Sequence, residues 1–105
     1  GLFYVEDYQD VVPDSFDLMS CYPNPFNPNI NIDFNVPYQT NVNLSIYDVN
    51  GNKIKTLIDD ELGQGKFSFT WDGFNNYGYL VSSGIYLIVL KVDNSTTINK
   101  VTMLK

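Results

Sequence analysis

Alternation constrains this chain more than any other feature. Ile30, Ile32, Phe34 and Val36 take every second position, with Asn31, Asp33 and Asn35 between them. A period of two describes a strand with one buried and one solvated face. Pro37 ends it, because proline has no N–H to give to a ladder. Val42, Leu44 and Ile46 repeat the pattern against Asn43, Ser45 and Tyr47, and Asn50-Gly51 is a hairpin turn signal leading into a strand from Lys53 to Ile58. Asp59, Asp60, Glu61, Leu62, Gly63, Gln64 and Gly65 read as a loop, before Phe67, Phe69 and Trp71 line one face of a fourth strand. After a turn-rich stretch from Asp72 to Gly84, Ile85 to Val92 is almost continuously apolar, which predicts a central strand buried on both faces. Asp93-Asn94-Ser95 then turns the chain into a last strand, Thr96 to Leu104. No window carries a helical period with start and stop signals, and Ala is absent. The expected fold class is all-β, a sandwich of six or seven short strands.

With 105 residues the chain makes one domain, and its 44% hydrophobic content with 7 Phe, 8 Tyr and 1 Trp supplies a core. Cys21 is the single cysteine, so no disulfide forms within the chain, and its thiol reads as a small apolar group. The net charge of -6 is unevenly placed: Glu6, Asp7, Asp10, Asp14 and Asp17 lie in residues 1–20, which hold no Lys. Residues 1–20 therefore read as an extended acidic leader or linker from an upstream domain, and residues 21–105 as a nearly neutral globular body. Phe3, Tyr4, Val5, Tyr8, Val11, Val12, Phe16 and Leu18 give the leader apolar surface with which to dock, so self-association through it is a second expectation. A start at Gly1 is expected of a fragment or processed product.

Composition removes most chemistry. There is no Arg and a net negative charge, hence no footprint for phosphates and no expectation of nucleic-acid binding. Without His, Ser-His and Cys-His nucleophilic pairs cannot form and the usual zinc and copper ligand sets are missing. No acid pair is marked out for glycoside hydrolysis, so no enzyme activity and no cofactor are expected. Asp48, Asn50, Asn52 and Asp59 imitate a calcium-loop spacing, but Lys53 stands where that loop requires Gly and the flanks are strands. No metal site is expected there; the acid-rich 59–61 stretch could at most hold a surface calcium ion weakly. The run Ile85 to Leu90 is too short to cross a bilayer, and Leu18-Met19-Ser20-Cys21 lacks the preceding basic and apolar segments of a lipoprotein signal. No membrane insertion is expected.

Some motifs remain. Tyr22-Pro23-Asn24-Pro25-Phe26-Asn27-Pro28 is an ordered turn or polyproline stretch, with Asn24 and Asn27 placed for Asx turns and Phe26 placed to plug the rim of the core. Trp71-Asp72-Gly73 closes a strand, and Ser82-Ser83-Gly84 leads into Ile85-Tyr86. Phe74, Tyr77 and Tyr79 crowd one loop, where aromatic rings either cover the end of the core or face a carbohydrate.

The order of these motifs resembles the type A C-terminal sorting domain of the type IX secretion system, a family overlapping the Ig-like domain of the flagellar hook-capping protein. The resemblance runs from Pro13, Phe16 and Leu18 to the terminal Lys100-Val101-Thr102-Met103-Leu104-Lys105. It departs from the family at Cys21, where a polar residue, commonly Asn, is usual, and in having no Arg. It implies an Ig-like antiparallel β-sandwich of about seven strands, carried behind an upstream cargo domain in the same polypeptide. It also implies periplasmic transit, recognition by the type IX outer-membrane secretion machinery, and a final location outside the cell or on its surface. Under it, Gly84, Ile85, Tyr86, Lys100, Val101 and Lys105 are the residues implied for recognition, and Pro23, Asn24, Pro25, Phe26, Asn27, Pro28, Trp71, Asp72 and Gly73 form the structural motif. The alternative is an extracellular surface module that binds carbohydrate or assembles by strand addition, with residues 1–20 completing a neighbour's sheet edge.

Overall fold

A computed structural model of the chain describes residues 19–105. The leader and its self-association lie outside the described residues, apart from Met19 and Ser20. Seven strands form: β1 (Ser20–Tyr22), β2 (Ile30–Val36), β3 (Thr40–Asp48), β4 (Lys53–Leu62), β5 (Gly65–Trp71), β6 (Gly84–Val92) and β7 (Ser95–Met103). They make two antiparallel sheets, one of order β1-β2-β5 and one of order β4-β3-β6-β7. This is the expected all-β, Ig-like sandwich.

Alternation fixes which face is buried. Ile30, Ile32, Phe34 and Val36 on β2 meet Val42, Leu44 and Ile46 on β3, and all seven are buried. Slipping either strand by one residue would turn these side chains to water and bring Asn and Ser inside. From β6, Tyr86, Ile88, Leu90 and Val92 join this core, and from β7, Val101 and Met103. The central-strand reading of Ile85 to Val92 holds for its position, between β3 and β7. Two-sided burial does not hold along its length: Ile85 and Lys91 are exposed on the outer face, where only Val89 is buried.

Two boundaries differ from those expected. The stretch from Asp59 to Leu62 is strand, paired with Asn43 to Thr40, so that the loop shrinks to Gly63 and Gln64. Edge strands tolerate exposed charge, and β4 is an edge with register shifts opposite Leu44/Ser45 and Ile46/Tyr47. Ser20, assigned above to the leader, opens β1 opposite Asp33, and Met19 is buried in the core. The globular unit therefore takes in these two residues as well.

Candidate functional site

The three motifs separated in sequence meet around Trp71, which is completely buried. The Phe26 ring lies 5.6 Å from it and the Tyr86 ring 5.5 Å, the latter edge-on at 72°. Aromatic pairs in such geometry add about 0.5–1.5 kcal/mol each beyond the area they bury. Trp71 Nε1 donates to the carbonyl of Phe74 at 2.9 Å, and Tyr86 Oη donates to the carbonyl of Ser82 at 2.7 Å, so both buried polar tips are satisfied. Phe26 thus plugs the rim of the core, as its place between the prolines implies.

Gly73 completes this junction. Its φ is +84°, and a Cβ there would stand 3.1 Å from Leu80 Cδ1 and 3.2 Å from Met103 Cε. Asp72 Oδ1 accepts from Phe74 N at 3.0 Å, which holds the turn.

The proline-rich segment does more than turn the chain: it covers the outer edge of β7. Asn24 Oδ1 accepts from Thr102 N at 3.0 Å, while Asn24 Nδ2 donates to the Lys100 carbonyl at 3.3 Å. Two residues on, Phe26 N donates to the Thr102 carbonyl at 2.9 Å and Leu104 N donates to the Phe26 carbonyl at 2.8 Å. A side-chain amide and one residue of backbone together take the place of a neighbouring strand. The Asx turn expected at Asn24 does not form, because its amide is spent on β7 instead. Lys105 N, one residue beyond this segment's reach, donates to Ser83 Oγ at 3.0 Å and ties the last residue to the start of β6.

The residues implied for recognition divide by exposure. Gly84 pairs with Met103 and Tyr86 with Val101, which brings the start of β6 and the end of β7 side by side. Ile85 (42% exposed), Lys100 and Lys105 face solvent, and Gly84 is half-buried. Tyr86 and Val101 are buried core residues. A groove of about 370 Å³ opens beside Gly84, Ile85 and Tyr86, and Asp48, Val49, Ile54, Val81, Ser82 and Ser83 complete its lining.

Two loops at this end share one construction. Asp48 Oδ1 accepts from Asn50 N and Asn52 N, both at 2.9 Å, and Asn75 Oδ1 accepts from Tyr77 N at 2.9 Å and Tyr79 N at 3.0 Å. In each, the residue three further on is a glycine at φ +87°, Gly51 and Gly78. Asp48 therefore spends one carboxylate oxygen on backbone donors, and these bonds hold its carboxyl below the usual carboxylate range. Asn76 in the second loop reaches the β4 edge, its N–H donating to the Ile54 carbonyl at 3.0 Å and its Oδ1 accepting from Thr56 N at 3.3 Å. The loop so pinned leaves Tyr77 and Tyr79 at 86% and 71% exposure, which answers the question of whether these rings cover the core: they do not.

Other polar links were not foreseen. Asn99, at an inward-facing position of β7, donates through Nδ2 to the Met19 carbonyl at 3.0 Å and to Cys21 Sγ at 3.5 Å, joining the two sheets at their rim. A polar residue in register with Val101 and Met103 was the signal for it. Burial pushes the Cys21 thiol up, against a lowering hydrogen bond from Asn99. Asp33 accepts from Ser68 Oγ and Tyr22 Oη, both at 2.6 Å, and these bonds lower its carboxyl while raising the Tyr22 phenol. Among the described residues no group of three or more His, Cys, Asp or Glu is placed to hold a metal ion, and no helix is long and apolar enough to cross a membrane.

No curated protein matches the chain. Among solved structures it is similar to PorZ of Porphyromonas gingivalis, described as an essential bacterial surface component of the type IX secretion system. That match has a TM-score of 0.60 and 18% identity, over 85% of this chain and 12% of PorZ. Dimeric latent PorU from the same organism matches with a TM-score of 0.62 and 21% identity, over 82% of this chain and 9% of PorU. FlgD from Xanthomonas campestris, described in terms of hook capping essential for flagellar assembly, matches with a TM-score of 0.55 and 23% identity, over 87% of this chain and 63% of that one. The chain thus spans only a small part of the two secretion components, and at these identities the likeness is one of fold. Residues 28–96 match the family described as the FlgD Ig-like domain, a stretch that takes in β2 to β6 with the WDG turn and the SSGIY segment. The chain belongs to the FlgD Ig-like domain family.

Proposed function

We propose that this domain is a noncatalytic sorting module that directs an upstream cargo through the type IX secretion system to the cell surface or the medium. The observation that carries the reading is the junction at Trp71, where Phe26, Tyr86 and the C-terminal strand are assembled into one end of the sandwich. Three motifs that co-occur in sequence acquire a common purpose there: they hold the start of β6 and the end of β7 in a fixed relation. The similarity to segments of PorZ and PorU supports the same system. A sorting signal of this kind is read as shape, which needs no reacting group, and a domain without His or Arg can serve as one. In this reading Ile85, Lys100 and Lys105 offer the accessible surface, and Gly84, Tyr86 and Val101 shape it.

The test is export. Residues 1–105 fused behind a signal peptide and a reporter should carry the reporter out of a host that has the secretion system. Periplasmic retention of a fusion whose domain is folded would sink the proposal.

A second reading rests on the exposure of Tyr77 and Tyr79. Two rings presented on a pinned loop are a platform for a sugar, and glycan-array binding abolished by Tyr77→Ala or Tyr79→Ala would favour a carbohydrate module.

A further inference from the structure

Each sheet ends in two edge strands, and three of the four are blunted against further pairing. β1 has three residues and runs into Pro23. β7 carries the cap of Asn24 and Phe26. β4 is interrupted by two register shifts, and Asn76 occupies its backbone at Ile54 and Thr56. β5 has none of these devices. Its seven residues pair with β2 in unbroken register, and it holds no proline and a single charge, Lys66 near its start. Alternate residues of a strand turn N–H and C=O away from the partner, so roughly three residues of β5 present unpaired backbone. Among the described residues, none outside β2 hydrogen-bonds to that backbone.

What lies beside this edge sets the kind of strand it can take. Gly63 and Gln64 alone connect β4 to β5. Three peptide steps reach about 11 Å at most, little more than the ~10 Å between packed sheets, so the two edges lie on the same side of the sandwich. Phe67 and Phe69 face inward from β5 and stack on Phe34 at 5.8 and 5.9 Å, but both are only half-buried. From β4, Asp60 pairs with the core residue Val42, which places it on the inward face, and yet it is exposed. Its Oδ1 accepts from Glu61 N at 2.8 Å, and its other oxygen has no partner among the described residues. The mouth between the two edges thus combines incompletely covered aromatic rings with an unpaired carboxylate. Lysine and arginine answer both, since the alkyl stem covers a ring while the cationic head reaches the acid. A second copy fits poorly, because β5 set antiparallel against β5 would bring two Asp60 carboxylates toward one seam. Residues 1–20 hold five acids and no Lys, so the chain's own leader lacks the charge required.

We propose that the outer edge of β5 takes an extended segment of another protein by strand addition, with Lys or Arg at alternate positions facing Asp60, Phe67 and Phe69. Main-chain bonds to β5 supply the affinity, and the cationic side chains in the mouth select the partner.

The test is titration of the full chain with a blocked heptapeptide of alternating lysine and threonine, read by amide NMR and hydrogen exchange. The peptide should slow exchange and shift signals between Lys66 and Thr70. Its fully N-methylated form should do neither, and the glutamate–threonine counterpart should bind more weakly. Asp60→Asn should weaken binding about fivefold. Asp59→Asn is the control, since Asp59 pairs with Asn43 on the opposite face, and it should change affinity by less than about twofold. Both acids are exposed, and thermal melts check that each variant is folded. No slowing at Lys66 to Thr70, equal binding of the glutamate or N-methylated peptide, or equal losses in the two variants would overturn the proposal. So would protection of β5 that grows with protein concentration alone, since a second copy would then fill the edge.

Discussion

Replacing Asn24 tests the edge cap directly. In Asn24→Ala two hydrogen bonds to the β7 backbone are lost, one accepted from Thr102 N and one donated to the Lys100 carbonyl. Asn24 is exposed, so water replaces its amide and the penalty of a dry, unpaired group does not arise. At a net of about 0.5–1 kcal/mol for each neutral bond, the variant should be less stable by about 1–2 kcal/mol. For a domain of this size that lowers Tm by roughly 4–16 °C. Asn24→Asp keeps the acceptor for Thr102 but sets a carboxylate oxygen against the Lys100 carbonyl, so its melting point should be at least as low as that of the alanine variant. Asn27→Ala is the control, since no hydrogen bond holds the Asn27 side chain among the described residues. The melts can be followed by the fluorescence of Trp71, the single tryptophan, with hydrogen exchange read at Thr102. An unchanged exchange rate for the Thr102 amide in Asn24→Ala, or a wild-type Tm for Asn24→Asp, would refute the idea that the side chain stands in for a strand.

Gly73→Ala must adopt a left-handed φ and push into Leu80 and Met103, which should destabilise by about 2–4 kcal/mol in a denaturant melt. Gly63→Ala, with nothing within 4 Å of a Cβ, should change stability by no more than about 0.5 kcal/mol. Asp48 has its carboxyl held below the usual range, so its contribution is present above the unfolded value near pH 4 and is lost as pH falls through the folded one. Asp48→Asn keeps the acceptor oxygen, as Asn75 shows in the twin loop, and should flatten the fall of Tm on the acid side in a pH series. Tyr77→Ala/Tyr79→Ala should melt within a few degrees of wild type, because those rings add little to the fold, and a large loss by calorimetry would contradict their exposure.

The strands most legible in the sequence are those where one face is core and the other is water. On β2 and β3 the apolar buried positions are set by the period and were readable, but Ser45, read as part of the solvated face of β3, is completely buried, its hydroxyl donating to Asn43 Oδ1 at 2.7 Å. The 59–62 stretch was not, because three consecutive acids signal a loop in composition alone, whereas an edge strand accommodates them on its open side. The three residues of β1 are too few to show a period at all, and a proline follows them. At the site, the motifs could be seen to co-occur, and their meeting at Trp71 explains why. What could not be read is the reach of Asn24. Its partners lie 76 and 78 residues away, while local rules point an asparagine before proline toward its own backbone. Val101 likewise stood in a terminal segment implied for recognition, yet the ladder with Tyr86 turns it inward.

The cap on β7 also bears on how the molecule ages. An asparagine deamidates when the backbone nitrogen of the next residue attacks its side-chain carbonyl carbon, expelling ammonia and closing a five-membered imide. After Asn24 comes Pro25, whose nitrogen carries no hydrogen and cannot lead to that ring in the usual way. The amide that must both accept from Thr102 and donate to Lys100 is therefore placed before the one residue that protects it from becoming a carboxylate. Asn50, followed by Gly51 in an exposed turn, has no such protection. The prolines of this segment, beyond bending the chain, preserve over time the chemical identity of the group that closes the sheet.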